Sequence, residues 1–224
     1  DEEVLEARAN NFLAALSLSP EGGGALASVD VSTGEFRVAD LASDEALGDE
    51  LGRLEAAEML CPASLRGDRR LGAVLSRAGR TAPRTVDHRE DAEFDPRRGG
   101  EFLREHFGVA SLSGYGLDGL GRAVGAAAAA LRYVQETQKS AARHIDRLEV
   151  YRPADHLVID AATAANLEVF RGRDGRRHGS LLWVLDRTAT AMGGRKLARW
   201  LQYPLLDLDE IRRRQEAVEE LCGS

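Results

Sequence analysis

Hydrophobic and polar positions change rhythm along this chain, and each rhythm predicts a different kind of element. Residues 11–18 (NFLAALSL) are almost continuously apolar, which predicts a buried strand. The cluster Pro20-Glu21-Gly22-Gly23-Gly24 then breaks the run as a turn. Two more strands are predicted at 25–31 (ALASVDV) and 35–41 (EFRVADL), joined by the tight turn Ser32-Thr33-Gly34. In the third strand Phe36, Val38 and Leu41 alternate with Glu35, Arg37 and Asp40. Ser43-Asp44-Glu45 reads as an N-cap with first-turn acids and opens a helix to about Glu55. A short buried strand, Glu58–Cys61, ends at Pro62. The start is therefore a three-strand meander, a helix and a fourth strand.

Residues 63–98 are the least periodic, with a weak helix near 68–78 and a strand near 82–87. A short helix follows at 99–107. From Leu120 to Gln138 the apolar positions Leu120, Val124, Ala127, Leu131 and Val134 make one helical stripe, and alanines 126–130 permit close packing. A polar tail at 135–139 and the strand-like Leu148–Tyr151, closed by Pro153, place a domain junction near 140–153.

Beyond the junction the pattern is helical. Asp160 caps a helix predicted through Phe170, Arg171–Arg177 is a charged loop, and 180–186 (SLLWVLD) is a short apolar helix. Thr190 opens another, with Leu197, Trp200 and Leu201 inward on one face and Arg195 and Arg199 on the other. The two arginines read as ordinary solvated or interdomain salt-bridge residues. Asp207 and Glu210 form a capping box for a last helix striped by Leu208, Ile211, Val218 and Cys222. These faces need more apolar partners than 70 residues supply, so a larger helical domain, cut at Ser224, is expected. A start without Met points the same way.

Charge sharpens the picture only a little. The net charge is −7, with 14 acidic against 3 basic residues in 1–62 and a mild basic excess after that. The first segment repels a phosphate backbone. Of 30 basic residues 28 are Arg, which reflects base composition as readily as phosphate binding. The acidic N-terminus is unlike a signal peptide, and no apolar run approaches the roughly 18 residues of a membrane span. A cytoplasmic chain is expected.

Candidate chemistry is sparse. Gly114-Tyr115-Gly116-Leu117-Asp118-Gly119 satisfies the dinucleotide pattern, but the acid about 20 residues on, Glu136, falls inside the following helix, so a glycine turn with Tyr115 packed in the core is expected. There is no Gly-Lys dipeptide for a P-loop, no C-x-x-C, no H-x-x-x-H and no G-x-S-x-G. His88, His106, His144, His156 and His178 are scattered. A meander, helix and strand also begin ribonuclease H-like domains, whose active members carry metal-binding acids on the first and fourth strands. Here Asp30 and Glu58 are present, but the first strand has no acid.

Several segments, in order, resemble the MutS family of DNA mismatch repair proteins: Asn10–Ala15, Asp30–Phe36, Ala57–Leu60, His106–Val109, Gly114–Gly116 and Tyr133–Lys139. The most specific are Asp160–Thr163 with Asn166–Glu168, and Gly179–Leu206. Ala164-Ala165 departs from the two Arg usual in the family. The resemblance implies an α/β, ribonuclease H-like connector domain at 1–145, then the start of an all-α core and lever domain at 150–224. The family's mismatch-reading Phe-x-Glu motif does not occur in these residues.

The function implied is transmission. This piece would link the mismatch reader to the levers and the ATPase, with Trp200, Leu201, Arg195, Arg199 and Asp160 as structural or transmission residues. It would hold no catalytic, metal or cofactor site, since ATP and Mg belong to other domains of the whole protein. Mismatched DNA would be bound mainly by those domains, the whole protein would be a homodimer and the piece a monomer. The downstream factor MutL would meet the 99–107 helix, with Leu103 and Phe107 inward and Glu101, Arg104 and Glu105 toward solvent. Two other readings stay open: a stand-alone interaction module and, on Asp30 and Glu58, a ribonuclease H-like nuclease.

Overall fold

The structure is a computed structural model that describes residues 12–31, 33–138 and 144–223. Predicted positions Asn11 and Ser32, and residues 140–143 of the predicted junction, lie outside the described residues. The described residues fall into two compact units that divide between Tyr151 and Arg152.

Among the described residues the first unit is built on six strands: β1 (Phe12–Leu18), β2 (Gly24–Asp30), β3 (Glu35–Leu41), β4 (Glu58–Pro62), β5 (Thr85–Arg89) and β6 (Glu149–Val150), in the order β5-β4-β1-β2-β3-β6. The meander is antiparallel, Phe12 opposite Asp30 and Gly24 opposite Leu41. β4 runs parallel to β1 with Leu13 beside Glu58, β5 parallel to β4, and β6 parallel to β3. An antiparallel meander continued by parallel strands is the ribonuclease H-like sheet that the sequence led us to expect. Gly23 has φ +68°, and a Cβ there would lie 2.1 Å from the Leu41 carbonyl oxygen, so the first turn requires glycine.

Helices cover both faces, which explains the near-continuous apolar runs. Leu13, Ala15, Ala25, Ala27, Val29, Phe36 and Val38 share one buried cluster with α4 (Gly121–Thr137). The alternate positions Ala14, Leu16, Leu26 and Leu41 are buried as well, on the face covered by α1 (Asp44–Leu54), which packs on α2 (Arg69–Ala78). Arg37 therefore does not face solvent as its alternation suggests; it is 4% exposed.

Helix α4 sits between the sheet and α3 (Pro96–Phe107). The predicted stripe is buried from Val124 to Val134, with Leu120 half-buried just before the helix, yet Ala123, Ala126, Ala128, Ala129 and Ala130 are also fully buried, because α4 is packed on two sides. A Cβ on Gly125 would lie 2.1 Å from the Phe94 carbonyl oxygen, and one on Gly99 would lie 3.0 Å from the Ala128 methyl. Small residues thus set the approach of these helices.

Two predicted bounds move. α3 starts three residues early because Asp95 caps it, accepting from the Arg98 N–H at 2.8 Å, and Pro96 suits a first turn. The strand predicted near 82–87 lies at 85–89, since Pro83 precedes it and the strand follows β4 from Glu58 to Pro62.

The second unit carries four helices among the described residues: α5 (Ala161–Asn166), α6 (Leu181–Leu185), α7 (Ala191–Gln202) and α8 (Leu208–Cys222). Asp160, Thr190 and Asp207 cap as the sequence indicates, and Ser180, predicted as the first residue of its helix, is the cap of α6; all four accept from backbone N–H groups of their first turns. α5 stops well before the predicted Phe170. Glu168 takes φ +51°, which turns the chain so that Leu181 and Leu182 donate to the Glu168 and Val169 carbonyls at 2.9 Å each. The Glu210 carboxylate pairs with Arg213. A two-residue pairing of His156 and Leu157 with Pro204 and Leu205 completes the unit.

Candidate functional site

Helix α3 presents the first candidate surface. Its C-terminus closes on Gly108 at φ +65°, where the Gly108 N–H donates to Glu105 O at 3.3 Å and the Val109 N–H to Arg104 O at 3.0 Å. Leu103 is fully buried, and Phe107 is half-buried with its ring centroid 5.0 Å from that of Tyr115. His106 lies between Ile145 O, 2.8 Å from Nε2, and the Gln135 amide, 3.0 Å from Nδ1. It ties α3 to α4 and to the returning chain. Glu101 and Glu105 are exposed and Arg104 is half-buried. The Glu101–Arg97 pair, at 3.6 Å between two exposed side chains, contributes little.

The carboxylates of the nuclease reading sit apart in role. Glu58 accepts from the Tyr133 hydroxyl at 2.7 Å, and that hydrogen bond to a carboxylate is the main reason the phenol is pushed up to about 12. Asp30 is fully buried opposite Phe12. The β1 residues in register with them, Phe12 and Leu13, bring no third carboxylate. No group of three or more metal-ligating side chains occurs among the described residues. The Gly114–Gly119 segment is a turn with Gly116 and Gly119 at positive φ, and it follows α3 rather than a strand. Burial pushes the Cys61 thiol up to about 11, so it stays a thiol inside the sheet.

In the second unit Trp200, Leu201, Arg195 and Arg199 are all half-buried. The Arg214 guanidinium lies 4.7 Å and the Lys196 ammonium 5.8 Å from the Trp200 ring centroid. Trp200, Leu205, Ile211 and Val218 line an open apolar groove. The Asp186 carboxyl is lowered to about 2, chiefly by the Thr188 hydroxyl at 2.6 Å, aided by the Thr188 N–H and Arg177. Among the described residues of this unit only Val169, Leu182 and Tyr203 are buried hydrophobics, whereas all twelve exposed large hydrophobics among the described residues lie between Leu157 and Leu221. The predicted α8 stripe is among the open positions: Leu208 is 65% and Val218 49% exposed.

Sequence reading missed a buried polar set in the first unit. Tyr151 donates to Glu50 at 2.8 Å, Glu50 pairs with Arg53 at 3.1 Å, and the Arg37 guanidinium lies 3.8 Å over the Tyr151 ring. A signal existed: Glu50 falls at helical spacing within the Leu47, Leu51, Leu54 face of α1.

The sheet order and its two-sided cover define a ribonuclease H-like α/β domain, followed here by a helical segment. Residues 11–146 match MutS domain II and residues 162–224 match MutS domain III; the chain belongs to the MutS family. It is 49% identical over its full length to the DNA mismatch repair protein MutS of Myxococcus xanthus. To the proteins of the same name from Symbiobacterium thermophilum and Anaeromyxobacter dehalogenans it is 45% and 44% identical, over 97% and 100% of the chain. It spans about a quarter of the length of these curated relatives. No helix among the described residues is long and apolar enough to cross a membrane.

Proposed function

We propose that residues 1–145 are the connector and 150–224 the opening of the core of a mismatch sensor, and that this piece transmits rather than reads or hydrolyses. One observation carries the reading: the first unit seals its own core, while the helical segment leaves most of its large apolar side chains open. A transmission piece needs that pairing, a rigid body continued by helices that other parts of the protein complete.

ATP and Mg then belong to segments outside these residues, consistent with the missing Gly-Lys dipeptide, and the piece itself is not an enzyme. Mismatched duplex DNA is gripped mainly elsewhere in the whole protein, which works as a homodimer in the cytoplasm, whereas the isolated piece is a monomer. MutL docks on the exposed side of α3, at Glu101, Arg104 and Glu105. Trp200, Leu201, Arg195, Arg199 and Asp160 belong to the path along the helices.

The test is a binding titration of the 224-residue chain with homoduplex and singly mispaired duplex of one length. Equal and weak binding is expected, since the acidic first segment is repelled by phosphate. A tenfold preference for the mispair would reject the reading.

A further inference from the structure

We propose that Arg37, Glu50, Arg53 and Tyr151 form a clasp that fixes where the chain leaves the first unit, making Tyr151 a positioning residue for transmission; this rests on the function proposed above. The need for a clasp follows from β6. It has two residues, pairs in parallel at the edge of the sheet, and is extended by the Tyr151 N–H donating to Val38 O at 3.0 Å. So short an edge strand frays readily when held by backbone pairing alone.

Side chains supply what the backbone lacks. Tyr151, the last residue of its unit, is 5% exposed, and its hydroxyl reaches Glu50 on α1, 101 positions away. Arg37, opposite Glu149 in register, has its guanidinium 3.8 Å from the Tyr151 ring centroid, and its Nε is 3.5 Å from the Glu149 carboxylate. Glu50, Arg37 and Arg53 are 1%, 4% and 8% exposed, and only Glu149 reaches solvent. Burying two guanidiniums and a carboxylate is costly, and an apolar set of the same volume would often be as stable. What directional groups add is one geometry: the phenol, the ring face and the strand register are satisfied together in a single position of residue 151. A rigid exit point passes a displacement of the sheet edge into the following helices, where a fraying strand would absorb it.

Hydrogen–deuterium exchange on the 224-residue chain tests the clasp. Tyr151→Phe is expected to speed exchange of amides 149–151 at least tenfold, well beyond any rise at β1 and β2 amides. The partly exposed Glu149→Ala, which cannot unfold the core, should give a smaller rise of about threefold at the same amides. Unchanged exchange at 149–151 in both variants would overturn the clasp, as would an equal rise across all strands. In the full-length protein, Tyr151→Phe should leave mismatch binding intact and slow the ATP-driven change in DNA dwell time several-fold. A flexible insertion after Arg152 serves as the control. If the insertion slows that step and Tyr151→Phe does not, the clasp is wrong and transmission stands. If neither slows it, transmission itself fails.

Discussion

Gly125 sits where α4 passes the Phe94 carbonyl so closely that any Cβ would lie at 2.1 Å, well inside contact distance. The neighbour is backbone, which cannot rotate away. Gly125→Ala should therefore destabilise the connector even though alanine is the better helix former. The expected loss in urea unfolding is about 2 kcal/mol or more, the usual scale of overpacking. A neutral or stabilising result would show that α4 and the Phe94 turn are not held this closely. Asp186 offers a second residue-level test, now in the helical segment. Its carboxyl is lowered to about 2 by Thr188 and Arg177, and its side chain is 5% exposed. A carboxyl lowered in the folded state contributes stability that is present above its unfolded value near 4 and is lost as pH falls toward 2. That contribution is on the order of 2 kcal/mol. Asp186→Asn should lower stability at neutral pH and flatten the acid limb between pH 4 and 2, followed by circular dichroism. A limb unchanged by the substitution would remove Asp186 from the account.

Elements differ in how much of them the sequence reveals. Caps were legible because Ser43, Asp160, Thr190 and Asp207 each stand just before an apolar rhythm, and one side-chain oxygen does the capping in each case. The strands β1–β3 were legible for the same local reason. The end of α5 was not, because it depends on a left-handed turn at Glu168 and on hydrogen bonds to residues 13 positions ahead. Arg37 was misread because alternation reports a pattern, not whether the second face of the sheet is covered, and Glu50 was missed although it shares the spacing of Leu47, Leu51 and Leu54. The burial pattern of α3 was legible in part: Leu103 is buried and Glu101 and Glu105 reach solvent, whereas Arg104 is half-buried. Reversing charge at Glu101, Arg104 and Glu105 in the full-length protein should impair MutL recruitment to mismatched DNA with ATP and spare mismatch binding. Recruitment unchanged in a pull-down would reject this face.

At the scale of the whole molecule, the two units contrast in how they bury apolar surface. The connector holds its large hydrophobics inside; the helical segment leaves Trp183, Met192, Leu208 and Leu221 among its exposed ones. A chain that is about a quarter of its relatives' length and carries such faces belongs, in the proposed function, to a larger mechanical path. The direct measurement is the DNA dwell time of the full-length protein on a mismatched duplex, with and without ATP, before and after a flexible insertion following Arg152. The proposed function predicts that the insertion leaves mismatch affinity and ATP hydrolysis in place but removes the effect of ATP on dwell time. An ATP effect of undiminished size in the inserted protein would contradict it.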